Sequence, residues 1–120
     1  MNKIDLNLIL KQHVLWLNNV GGKRADLTHA DLTNADLTDA DLTHADLRGA
    51  NLDFSSMPLW CGDLKANYDD KQIIQQLFHV MSHIKNSANA SDEIKQLLND
   101  ENLEWANKFH RVNQCGIITK

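Results

Sequence analysis

Cysteine, proline and aromatic residues are scarce in this 120-residue sequence, and basic residues are outnumbered by acidic ones. The two cysteines, Cys61 and Cys115, are too few for a disulfide scaffold and read as reduced thiols of a cytoplasmic protein. No apolar run reaches the roughly 20 residues that a membrane-spanning helix needs. The N-terminal stretch MNKIDLNLILKQHVLW carries one early basic residue, is interrupted by Lys11 and His13, and lacks an A-x-A-like cleavage site. No membrane association is therefore expected. With 12 Lys and Arg against 16 Asp and Glu, the formal net charge is −4, which excludes the basic patch of direct nucleic-acid binding. There is no GxSxG elbow, CxxC pair, HExxH motif or glycine-rich phosphate loop. A chain this short buries only about 60–70% of its unfolded surface, leaving little room for an enclosed active site. No enzymatic activity and no cofactor are expected.

What the sequence does contain is a repeat. From Ala25 it runs ADLTH ADLTN ADLTD ADLTH ADLRG ANLDF, six five-residue units in register. Alanine recurs at 25, 30, 35, 40, 45 and 50, and Leu27, Leu32, Leu37, Leu42, Leu47 and Leu52 follow with the same period. In a helix every fifth residue advances by about 500°, so these leucines would drift around all sides. In a strand they would alternate between faces, because five is odd. A chain that turns a corner every five residues satisfies the pattern. Ala and Leu then face a common axis as the structural core, while Asp, Thr and the variable fifth residue face outward. Such units bury their apolar side only by stacking on their neighbours.

This A(D/N)LXX pattern over residues 25–54 resembles the pentapeptide-repeat family. The resemblance implies a mainly β solenoid, a short right-handed quadrilateral β-helix with four pentapeptides per coil. It also implies binding rather than catalysis, a habit of homodimerising and, in some members, mimicry of nucleic acid directed at topoisomerases. Downstream, the same frame reads SSMPL, WCGDL and KANYD, where Met57 holds the central place but Gly62 and Asn67 do not. The run MPLWCG, with Pro58 and a buried Trp60, is expected to end the repeat.

Open ends of a stacked coil expose unpaired backbone, so the flanks are expected to cover them. Three segments follow: an N-terminal capping helix at 1–19, the repeat coil at 20–69 and a C-terminal helical cap at 70–120. In the first, Leu6, Ile9, Leu10, His13, Val14 and Leu17 fall at helical spacing before Gly21 and Gly22. In the last, Ile73, Ile74, Leu77, Phe78, Met81 and Ile84 form an amphipathic helix to about Lys85. Ser91 caps a short helix with Ile94, Leu97 and Leu98, and a third helix spans roughly 101–112. These helices carry apolar surface wider than one stripe, from which a homodimer is expected.

The candidate binding surface is acidic: Asp26, Asp31, Asp36, Asp39, Asp41 and Asp46. Residues 25–54 hold seven Asp and one Arg, a net of −6. Four aspartates per coil would place roughly one charge per 1.2 Å of axis at a strand spacing near 4.8 Å, close to the ~1.7 Å of duplex DNA. Two coils are only about 10 Å long, however, against about 34 Å for one DNA turn. Three function classes follow. The first is an inhibitor or interaction protein whose acidic repeat engages a nucleic-acid-handling partner, such as a phage-borne topoisomerase-directed or anti-CRISPR-like factor. The second is a structural adaptor or homodimerising scaffold without mimicry. The third is a metal-binding module using His79 and His83, with Cys61, Cys115 and His110 as further donors. The competing reading makes those histidines and cysteines structural.

Overall fold

The computed structural model describes residues 2–120; Met1, the first residue of the expected capping segment, lies outside them, as does the side chain of Ile4. The chain divides into two compact units, Met1–Asp69 and Asp70–Lys120.

The first unit opens with helix α1, Lys3–Leu17. Asn2 caps it by accepting from the Asp5 amide at 2.9 Å. Asn19, Gly21 and Gly22 all have positive φ, and the Lys23 amide returns to the Gln12 carbonyl at 3.1 Å. The chain thus doubles back along the helix. Gly22 has no substitute here, because a Cβ would sit 2.3 Å from the Gln12 carbonyl oxygen. Leu6 joins the repeat core, and Ile9 and Leu10 pack against it.

From Ala25 the chain turns every five residues. The amides of Ala30, Ala35, Ala40, Ala45, Ala50 and Ser55 each bond back to the leucine carbonyl three residues earlier, at 2.8–3.1 Å. The third residue of the turn has positive φ at His29, Asn34, His44, Gly49 and Phe54, the sign a type II turn requires. Parallel bridges join Asp26 to Asp46, Asp31 to Asn51 and Asp36 to Ser56, so one circuit takes twenty residues, or four units. Leu27, Leu32, Leu37, Leu42, Leu47 and Leu52 are buried together with Ala25, Ala45 and Ala50.

The expected mainly β solenoid is not what forms. Among the described residues there is no β-strand: the bridges are isolated, and the regular secondary structure is helical, about 42% of the chain. The reason lies in the five-residue unit. Three of its residues are consumed by a turn, so each side offers one bridging residue before the next corner, too few for a continuous ladder.

The frame does not end at Met57; it slips by one residue. The amides of Leu27, Leu32 and Leu37 reach carbonyls nineteen residues ahead, on Asp46, Asn51 and Ser56, whereas Leu42 and Leu47 reach Gly62 and Asn67, twenty ahead. A short 3₁₀ turn at Cys61–Asp63 absorbs the extra residue. Gly62 is buried there, where a Cβ would meet the Ala40 carbonyl at 2.5 Å and the Trp60 ring at 2.6 Å. Beyond it Ala66, Asn67 and Tyr68 resume the Ala-Asn-Leu order, with Asn67 bridging Asp46 and Tyr68 packed on the core in the leucine place.

In the second unit α2 spans Asp70–Asn86, α3 Asp92–Lys95, α4 Asp100–Ala106 and α5 Val112–Cys115. Phe78, Met81 and Ile84 of α2 pack with Leu103 and Ala106 of α4 and with Phe109 and Ile118. Ser91 caps α3 by accepting from the Ile94 amide at 3.2 Å, and Asn99 caps α4 from the Asn102 amide at 2.9 Å. The helix expected at 101–112 stops at Ala106. Asn107, next in line, instead exchanges two hydrogen bonds with the backbone of Ile118, at 2.9 and 3.0 Å, and straps the C-terminal segment down.

Candidate interaction surface

The aspartate before each leucine does local work first. The Oδ1 atoms of Asp26, Asp31, Asp36 and Asp41 each accept from the amide two residues on, at 3.1 Å, and Asp46 does so at 3.2 Å. Thr28 and Thr43 hydroxyls add bonds of 2.6 Å to Asp26 and Asp41, and the Thr38 hydroxyl bonds Asp36. These are Asx-type turns, which the side chains of Asp and Asn can close equally. Asn51 accepts from the Asp53 amide at 2.9 Å in the same way. The Thr hydroxyls and then the Thr amides hold the carboxyls of Asp26, Asp31 and Asp36 below the usual range. At Asp46 the Arg48 guanidinium does so more strongly, to about 2. All these groups are ionised at neutral pH.

Stacking decides how the charge is distributed. Asp26 lies beside Asp46, but Asp31 lies beside neutral Asn51 and Asp36 beside neutral Ser56. Asp46 is paired with Arg48, whose Nε and Nη2 atoms lie 2.9 and 2.7 Å from the carboxylate. The acidic ring therefore belongs to the first circuit, with Asp26, Asp31, Asp36 and Asp41 on its four successive sides and Asp39 at an exposed corner. It is one coil deep. Between α1 and this ring runs a shallow cleft of about 300 Å³, lined by Leu10, Lys11 and Val14 on one side and Asp36, Asp39 and Asp41 on the other.

The corners change character along the axis. In the first circuit they are His29, Asn34, Asp39 and His44; in the second they are Gly49, Phe54 and, after the slip, Lys65, with Leu59, Trp60 and Leu64 on the turns beside them. Phe54 is 68% exposed, Leu59 98% and Leu64 75%. Trp60, for which burial was expected, is half-exposed, because only part of its ring covers Gly62. Pro58 is the residue that goes inside. Repeat logic missed this apolar rim, since corner positions tolerate any side chain and the pattern carries no signal there.

The remaining candidates are dispersed. Cys61 and Cys115 are both exposed free thiols, not the buried small hydrophobes expected of lone cysteines. His79 and His83 are exposed neighbours on α2. No group of three or more His, Cys, Asp and Glu side chains comes together as a metal cage among the described residues. Among them, too, no helix is long and apolar enough to cross a membrane. The buried histidine is His13, whose ring nitrogens bond the Ala25 amide at 2.9 Å and the Thr43 carbonyl at 2.8 Å. Burial and then the Asp63 charge push the Tyr68 phenol up.

Residues 23–56 match the family model described as pentapeptide repeats (8 copies). No curated protein and no solved structure matches the chain.

Proposed function

With residues 23–56 a pentapeptide-repeat segment, we propose that the chain is a non-catalytic protein-interaction scaffold whose acidic first coil engages a basic surface on a protein that handles nucleic acids. One observation carries this reading: Asp26, Asp31, Asp36 and Asp41 occupy four successive sides of one circuit, each with one carboxylate oxygen fixed by its turn. Fixed carboxylates lose little further freedom on binding, and a ring of them steers a basic partner over about a Debye length, ~10 Å at 0.1 M salt. Its depth of one coil favours a compact basic pocket over a groove that accepts a full turn of DNA. Inhibition of that partner is the consequence this reading assigns, by occupying the surface that would otherwise meet phosphate.

A second reading, an adaptor without mimicry, rests on the exposed rim of Phe54, Leu59, Trp60 and Leu64. Two variants used as baits in native-host lysate separate the two. Replacing Asp26, Asp31, Asp36, Asp41 and Asp46 with Asn keeps the turn bonds, as Asn51 shows. It should abolish capture of a basic partner and flatten the salt dependence of binding. Leu59→Ser with Trp60→Ser should leave that capture intact. The opposite pattern would replace the acidic reading with the adaptor.

A further inference from the structure

We propose that His79 and His83 form an open two-imidazole site for a divalent transition-metal ion of the zinc, nickel and copper class. The two residues stand four apart on α2, where the helix offsets them by about 6 Å along its axis and about 40° around it. Their ring centroids lie 6.4 Å apart, and both side chains are exposed. Small rotations about χ1 and χ2 bring a nitrogen of each ring to a shared point about 2.0–2.1 Å away, the distance a zinc–imidazole bond requires.

Three further features favour the pair. Among the described residues neither imidazole makes a hydrogen bond or an ion pair, in contrast to His13, whose two nitrogens are both engaged by backbone. The His79 ring meets the edge of Phe109 at 6.1 Å, which supports one ligand from the packed core. At three and four positions either side on the helix stand Gln75, Gln76, Val80, Ser82, Asn86 and Ser87, so no lysine or arginine competes on that face. With only two protein donors the site is not a closed structural one, and water fills the remaining coordination positions.

The test is calorimetric titration of the tag-free chain with zinc chloride. The expected result is about one zinc per chain, with His79→Gln and His83→Gln each weakening binding by roughly tenfold or more, because the second imidazole binds at high effective concentration once the first is engaged. A Cys61→Ser, Cys115→Ser variant should bind as before. Both histidines are exposed, so circular dichroism without zinc should not change. Independently, sub-stoichiometric zinc added to the unaltered chain should shift the ring NMR signals of His79 and His83 together and leave those of His13 in place. Absence of zinc binding overturns the proposal. So does binding that survives either histidine change, or binding that disappears with the cysteines.

Discussion

The imidazole of His13 donates from Nε2 to the carbonyl oxygen of Thr43, thirty residues further along the chain, at 2.8 Å. The tautomer follows from the other ring nitrogen: Nδ1 faces the Ala25 amide at 2.9 Å, and an amide can only donate. One fully buried side chain thereby ties α1 to the start of the first circuit and to its last corner. Trp16 stacks on the same ring at 5.7 Å.

His13→Phe keeps the ring volume and strands both backbone groups. It should destabilise the first unit by about 2–6 kcal/mol, the sum for two unsatisfied polar groups. Lys11→Ala, two residues away and exposed, should cost less than about 0.5 kcal/mol. Chemical denaturation of the two variants checks this, and equal effects would remove His13 from its joining role.

The repeat core gives a second contrast. Leu37→Ala and Leu42→Ala each empty a fully enclosed leucine site and should cost about 2–5 kcal/mol. Thr38→Ala removes one exposed hydroxyl bond to Asp36 and should cost less than about 1 kcal/mol. Thermal melts rank the three.

A third test concerns the corners. Gly49 has φ +77°, and a Cβ there would lie 2.4 Å from Nδ1 of His29 in the coil beside it. Gly49→Ala should cost about 1–2 kcal/mol from backbone conformation alone, and more from the collision. In a His29→Ala background the collision vanishes, so the double-mutant cycle should show a clear favourable coupling. At Asn34 and His44, both with positive φ, glycine should be neutral or stabilising, whereas Asp39 lacks positive φ and Asp39→Gly should destabilise.

Acid should loosen the repeat. The carboxyls of Asp26, Asp31, Asp36 and Asp46 lie lower in the folded chain than the ordinary 3.8, Asp46 at about 2. Their stabilisation is therefore complete above the unfolded value and lost as pH falls through the folded ones. Stability measured from pH 6 to pH 2 should fall below about pH 4, and the fall should be shallower in Asp46→Asn.

The homodimer expected from the apolar surface of the C-terminal helices has a direct check. Ile73, Val80, Ile94, Leu97 and Trp105 are each 43–53% exposed. Sedimentation should show a species heavier than the 13.6 kDa chain at micromolar concentration. A single 13.6 kDa species would dismiss the dimer.

The five-residue period was legible because it excludes both regular elements by arithmetic, which leaves only a turning chain with Ala and Leu on its axis. The caps at Ser91 and the stop at Gly21 and Gly22 were legible too, since each acts within a few residues of itself. The charge count was legible, but its arrangement was not. Whether Asp31 faces another aspartate or Asn51 depends on which residue lies one circuit away.

Which side chains of the repeat point inward is settled inside each unit, by turn geometry and the cost of exposing leucine. Tertiary structure alone decided what happens where units meet distant chain. The one-residue slip at Gly62 exists because the Ala40 carbonyl and the Trp60 ring close over a position with no Cβ. Tyr68 re-enters the core only after that slip, and His13 becomes a joint only when Ala25 and Thr43 arrive on either side of it. Each of these depends on contacts made across 12 to 30 residues of chain, and no local pattern of residues encodes a distance of that kind.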